Sequence, residues 1–149
     1  MIIFKDDEIL LDLPKMLSET DLIKDIENRY IQIEPQTEIG QLMNFLNNIE
    51  TWSISRDIPW GLTIPETNYA FDTWFNSSLY PIAAMLKLGL SELPEIQMIT
   101  GRDILFFWCA KMLIIWNWLH KHKELHNFDF IHKNKYPFKK NIAYRIDNG

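Results

Sequence analysis

Apolar residues recur at helical spacing in four stretches of the chain. The first, DLIKDIEN, follows Ser18 and Thr20 and aligns Leu22, Ile23 and Ile26, which predicts a helix with a polar cap. The second, residues 37–50, puts Ile39, Leu42, Met43, Leu46 and Ile49 on one face and predicts an amphipathic helix. The third predicts a helix over 73–88 that stops near Gly89, and the fourth a long helix over 102–122. Three shorter runs read as strands: 30–33, a buried strand at 96–100, and 141–146. Residues 52–66 hold Pro59, Gly61 and Pro65 and read mostly as loop. Strands alternating with helices imply parallel βαβ connections, and 96–100, 102–122 and 141–146 form one such unit. The expected fold class is therefore α/β: a partial, Rossmann-like parallel sheet with packed helices, helix-rich, in a single domain over 1–149. Ligands in this architecture sit beyond the C-terminal ends of the strands, where helix N-termini present free N–H groups. Gly101 and Asp103 fall at that point, and Asp103 also suits a structural cap.

Composition narrows the classes. Hydrophobic residues make up 47% and aromatics 13% of the 149, which describes a globular chain rather than a disordered one. Six Trp supply large apolar area for a core or a ligand wall. Net charge is −5, which argues against a general nucleic-acid binder. The charge is uneven: residues 1–50 hold 11 acids against 4 Lys/Arg, and residues 120–149 hold 3 against 7. The basic tail would suit phosphate or, more simply, a solvated surface. One cysteine, Cys109, gives no internal disulfide; amid Phe106, Phe107, Trp108 and Met112 it reads as a small core hydrophobe. His122 and His126 have the i, i+4 spacing that shares a metal on a helix, but no third clear ligand accompanies them, so no metal is expected. The apolar run 104–119 contains Lys111 and Asn117 and is shorter than the roughly 20 residues that span a bilayer. With an acidic opening segment unlike a presequence, the expectation is no membrane and a cytoplasmic location, organelles remaining open.

Four strings, read in order, add more than composition does. They are LMNFLNNIETW at 42–52, WSISRDIPWG at 52–61 with Ile64 and Pro65 after it, DTWFNSSLYP at 72–81, and TGRDILFFWCAKM at 100–112. They resemble the "NWLENIRDW", "WCISRQLWWGHxIP", "DTWFSSALWP" and "TGYDILFFWVARM" strings of class I aminoacyl-tRNA synthetases of the valyl type. A looser likeness, PFKKNI with RIDNG at 137–149, is similar to the approach to that family's KMSKS loop. The resemblance covers residues 30–112 well and residues 1–29 hardly at all. It implies a domain that joins ATP, with Mg, to valine and passes the acyl group to tRNA. Carried over by motif, Trp74 and Ile104 would form facing apolar walls of the valine pocket, and Asp72 would belong to the same substrate-binding string. Gly101 and Asp103 would form the nucleotide-binding turn, with the Asp103 carboxylate on ribose hydroxyls.

The departures are as informative. No HIGH string and no KMSKS loop occur; KMLSE at 15–19 precedes everything else and has the wrong order. Class I chemistry rests on electrostatic positioning of phosphates, so no catalytic residue is assigned in this chain. The family's editing insertion is also absent. Leu62 stands at a family histidine, and Arg102 replaces an aromatic. Only residues 67–71 separate Glu66 from Asp72, where bacterial relatives often insert a zinc-binding segment. Three expectations follow: one piece of a split or truncated valine–tRNA ligase needing complementary synthetase fragments, a non-catalytic structural or RNA-associated module derived from one, or a gene remnant.

Overall fold

The computed structural model describes residues 2–5, 7–138 and 140–144, and their side chains except at 105, 106 and 140–144. The centre of the fold is the expected long helix, in three parts. Arg102–Ile104 (α6) leads into a π-helical turn at Leu105–Cys109, and Ala110–Lys121 (α7) continues from it. Every residue from Ala110 to Asn117 is buried, as for a helix surrounded by partners. Those partners include Leu13–Ser18 (α1), Leu22–Glu27 (α2), Thr73–Ser78 (α4) and Asp129–His132 (α8).

The predicted βαβ unit is present. Gln97–Gly101 (β7) and Lys140–Tyr144 (β8) are parallel neighbours, paired from Gln97 with Lys140 to Gly101 with Tyr144. Gln32–Glu34 (β3) lies parallel on the other side of β8, so the sheet order is β3-β8-β7. The expected last strand, 141–146, is thus seen as far as Tyr144; residues 145–149, which include the RIDNG part of the looser likeness, lie outside the described residues. The amphipathic helix follows a short 3-10 turn as Ile39–Asn47 (α3), with Leu42 and Leu46 buried. The predicted 73–88 helix is broken once: α4 ends at Leu79, and Tyr80–Leu88 (α5) restarts with Pro81 in its first turn. A proline is tolerated there because that N–H has no helical acceptor. Gly89 ends α5 at φ 64°, a left-handed conformation that costs a residue without Cβ least.

Three features differ from the sequence reading. The first is β7, expected to be buried. Its residues alternate, with Thr100 buried and Ile99 55% exposed, and its outer edge is unpaired among the described residues. A parallel sheet is normally covered on both faces; here the Ile99 face is open. The second is the poorly matched segment 1–29. It forms a hairpin of Ile2–Lys5 (β1) and Glu8–Leu11 (β2), and β2 pairs with Trp52–Ser53 (β4) from inside the expected loop. The third is α1, which the apolar spacing did not predict; KMLSE lies in and just after it with Met16 and Leu17 buried, so it serves the core, in keeping with its wrong order for the loop.

One polar cluster ties the ends of the chain together. The Tyr136 hydroxyl donates to Asp25 at 2.6 Å, and the Lys135 ammonium pairs with Asp25 at 2.8 Å and Asp21 at 3.4 Å. Asn117, fully buried, accepts from the Asp21 N–H and donates to the Lys135 carbonyl. Burial, then the Asp25 bond, hold the Tyr136 phenol above its usual range.

Candidate functional site

Two of the matched strings meet through a short ladder. Ser55–Arg56 (β5) pairs antiparallel with Ala70–Phe71 (β6), matching Ser55 with Phe71 and Arg56 with Ala70. This brings the WSISR string directly against the DTWF string. The Asp72 N–H donates to the Ile54 carbonyl at 2.8 Å. Asp72 Oδ1 pairs with Arg56 Nη2 at 3.1 Å, and Oδ2 accepts from the Phe75 N–H at 3.2 Å. Arg56 also donates to the carbonyls of Ser53 and Ser55. Asp72 is buried, with both carboxylate oxygens engaged. Its observed work is to cap α4 and lock it to β5. The Arg56 partnership escaped the sequence reading, although its signal, an Arg in one string and an Asp in the next, was there.

Helix α4 then presents Trp74. It is held by the Phe71–Phe75 stack at 5.3 Å, by the Phe75–Trp52 edge contact at 5.9 Å, and by Trp108, whose indole N–H donates to the Ser77 carbonyl at 2.9 Å. That last bond joins α4 to the π-helical turn. Trp74 stands on α4 and Ile104 ends α6, the helix that runs directly into the turn packed on α4; both side chains remain open to solvent, at 45% and 39% exposed. Phe107 and Ile99, on the adjoining turn and strand, are also exposed. None of the best-formed cavities among the described residues is lined by Trp74 or Ile104.

Gly101 ends β7 and Asp103 lies in the first turn of α6, at the C-terminal end of a parallel strand. A Cβ placed on Gly101 would meet nothing within 4 Å, so the protein's own packing does not require glycine there. Asp103 is exposed, with no ion pair or side-chain hydrogen bond among the described residues. Between them, Arg102 turns away to pair with Glu38 Oε2 at 3.0 Å and to bond Gln41, fastening this turn to the start of α3. Glu38 is buried, which gives the guanidinium at this position, aromatic in the resembled string, a role.

The remaining candidates stand apart. His122 caps the end of α7, whereas His126 follows a 3-10 turn, so the two do not share a helix. His126 uses both ring nitrogens on backbone, at Leu119 and Phe128. No group of three metal-ligating side chains occurs among the described residues. Burial pushes the Cys109 thiol up to about 12, with the Thr100 hydroxyl only partly opposing it. In the basic tail, Lys121 and Lys135 are committed to Asp21. No helix among the described residues is long and apolar enough to cross a membrane.

Comparison places this architecture. The chain has the fold of part of a class I synthetase. It superposes on methionyl-tRNA synthetase of Mycobacterium tuberculosis, solved with methionyl-adenylate, with TM-score 0.62 and 16% identity over 91% of this chain and 26% of that one. The sequence points to the valyl branch. It is similar to valine–tRNA ligases of Bdellovibrio bacteriovorus, at 32% identity over 60% of this chain, and of Mycoplasma genitalium, at 32% over 69%. It is also similar to that of Symbiobacterium thermophilum, at 30% over 61%. The chain spans only 14–15% of the length of these curated relatives. No family model matches it. With Bdellovibrio the 123 aligned positions outnumber the residues of this chain that they cover, so the relative carries residues there that this chain lacks.

Proposed function

We propose that this chain is a fragment of, or a protein derived from, a valine–tRNA ligase, supplying one wall of the amino-acid pocket and the ribose-side turn. The observation that carries this reading is the bond from Trp108 to Ser77, which fastens the helix bearing exposed Trp74 to the turn that directly follows exposed Ile104. Ile104 offers a purely apolar side chain and Trp74 an aromatic face, which suit a small branched side chain once an opposing surface closes over them. The space over Gly101 and the unpaired Asp103 carboxylate fit a nucleotide whose ribose hydroxyls donate to Asp103. ATP with Mg supplies the activating phosphates in this family. The groups that would hold those phosphates are not among the matched strings, so the chain alone is inactive and a complementary piece bearing them completes the site. Valine and tRNA are its substrates only in that completed form, and a cytoplasmic setting accompanies this reading.

ATP–pyrophosphate exchange with valine tests it. The chain alone gives no exchange; mixed with the complementary parts of a valine–tRNA ligase it restores exchange, and Trp74→Ala lowers it. If no combination of parts restores exchange, the reading fails.

A further inference from the structure

A cavity of about 290 Å³ lies between the end of α3, β4, the π-helical turn and α7, lined in part by Phe45, Thr51, Trp52, Phe107 and Lys111. None of Asp72, Trp74, Gly101, Asp103 or Ile104 borders it. Lys111 is only 8% exposed. Its ammonium sits 3.8 Å from the centre of the Trp52 ring and 5.6 Å from that of Phe107. Among the described residues it has no ion pair and no hydrogen bond. The acid that acts on it electrostatically, Asp72, is already bound to Arg56 and the Phe75 N–H.

Such a lysine is unusual. Its stem is buried, while the ammonium is not one of the fully buried polar atoms that lack a partner, so the cation faces the cavity rather than being sealed away. Partial loss of water pulls Lys111 below the usual lysine range, with Asp72 only partly opposing. A partly desolvated cation, with no acid partner among the described residues, favours an anion in this cavity. Its volume lies at the small end for ligand sites, which suits a metabolite-sized molecule. Leu13, Phe45, Ile49, Trp52 and Phe107 give it an apolar side that suits an apolar body, beside the polar Asn48 and Thr51. Glu50 borders it from an exposed position and disfavours a second negative charge.

We infer that this cavity is a binding site for a small monocarboxylate with an apolar body, its carboxylate on Lys111 and its body against Phe45, Trp52 and Phe107. The site is separate from the proposed amino-acid pocket and does not depend on that reading.

The test uses the full chain carrying ¹³C-ε-labelled lysine, titrated with 3-phenylpropionate and, separately, with the neutral 3-phenylpropionamide. Lys111 is assigned by the signal lost in Lys111→Met and by mass mapping of amine labelling in the unmodified chain. The expected result is a saturable shift of the Lys111 signal with the acid, protection of Lys111 from labelling, and affinity about tenfold to a hundredfold weaker for the amide, as a charge-assisted bond implies. Equal affinity for the amide, or an unmoved and unprotected Lys111 at saturating acid, overturns the inference. Because shift and protection are read on the unmodified chain, misfolding of the variant does not decide the outcome.

Discussion

Removing the Asp72 carboxylate tests whether that residue anchors the candidate site. It makes two contacts from one buried position: an N-terminal cap to the Phe75 N–H and an ion pair with Arg56. The cap is worth about 0.5–2 kcal/mol. The ion pair has one partner half in water, since the Arg56 side chain is 42% exposed, so it adds about 0.2–1 kcal/mol. Asp72→Ala loses both, for a total of about 1–3 kcal/mol, or a fall in Tm of about 3–10 °C in a domain of this size. Asp72→Asn keeps a good cap and loses only the ion pair, so its cost is about a third of that. Arg56→Met should cost more than Asp72→Asn, because it also loses the bonds to the Ser53 and Ser55 carbonyls, and the double variant should cost less than the sum of the two, because the residues share one interaction. Thermal and urea unfolding followed by circular dichroism give the costs. Hydrogen exchange of the α4 amides, read by mass spectrometry, reports whether α4 frays. If Asp72→Asn costs as much as Asp72→Ala, charge rather than capping holds α4. If neither costs anything measurable, the anchoring account is wrong.

Other expectations follow from the same geometry. Tyr136→Phe removes the 2.6 Å bond to buried Asp25 and should cost about 1.5–3 kcal/mol in urea unfolding; a loss under about 0.5 kcal/mol would mean Lys135 alone satisfies the carboxylate. The Lys121 hydrogen bond holds the Asp21 carboxyl below its ordinary 3.8 despite some desolvation. A depressed carboxyl contributes stability above its unfolded pKa and loses it as pH falls through the folded value, so Lys121→Met should flatten the stability curve below about pH 4. An unchanged acid limb in urea midpoints measured down to low pH would contradict this. With its thiol held near 12 and fully buried, Cys109 should resist iodoacetamide at pH 8 in the native chain and react only at the rate of unfolding; fast native labelling would show the site to be open.

What was legible locally was whatever depends on neighbours in sequence. The spacing of Leu42 and Leu46, the stop at Gly89 and the strand–helix–strand run from Gln97 to Tyr144 are short-range patterns, and each formed. Even there, Pro81 split one helix, and a π-helical turn, tied to Ser77 through Trp108, interrupted another. The β1–β2 hairpin was missed because β2 is completed by β4, more than forty residues on, and because Ile2, Ile3 and Phe4 stay exposed and give no core signal. For the site, the strings nominated Trp74, Ile104, Gly101 and Asp103 and pointed to the family. They did not show that Asp72 is consumed by Arg56, that Arg102 is consumed by Glu38, or that Lys111 has no acid partner among the described residues.

By itself, then, the sequence determined the α/β class, the βαβ unit and a likeness to valine–tRNA ligases, because periodicity and motif order reside in the linear chain. Only the tertiary structure decided which charged side chains are already paired and which are free to meet a ligand. Pairing depends on distances between residues far apart in sequence: 16 positions separate Arg56 from Asp72, and 64 separate Glu38 from Arg102. It also decided that β7 has an open face, since burial is a property of what packs alongside a strand. Ile99 has the same apolar side chain whether covered or not.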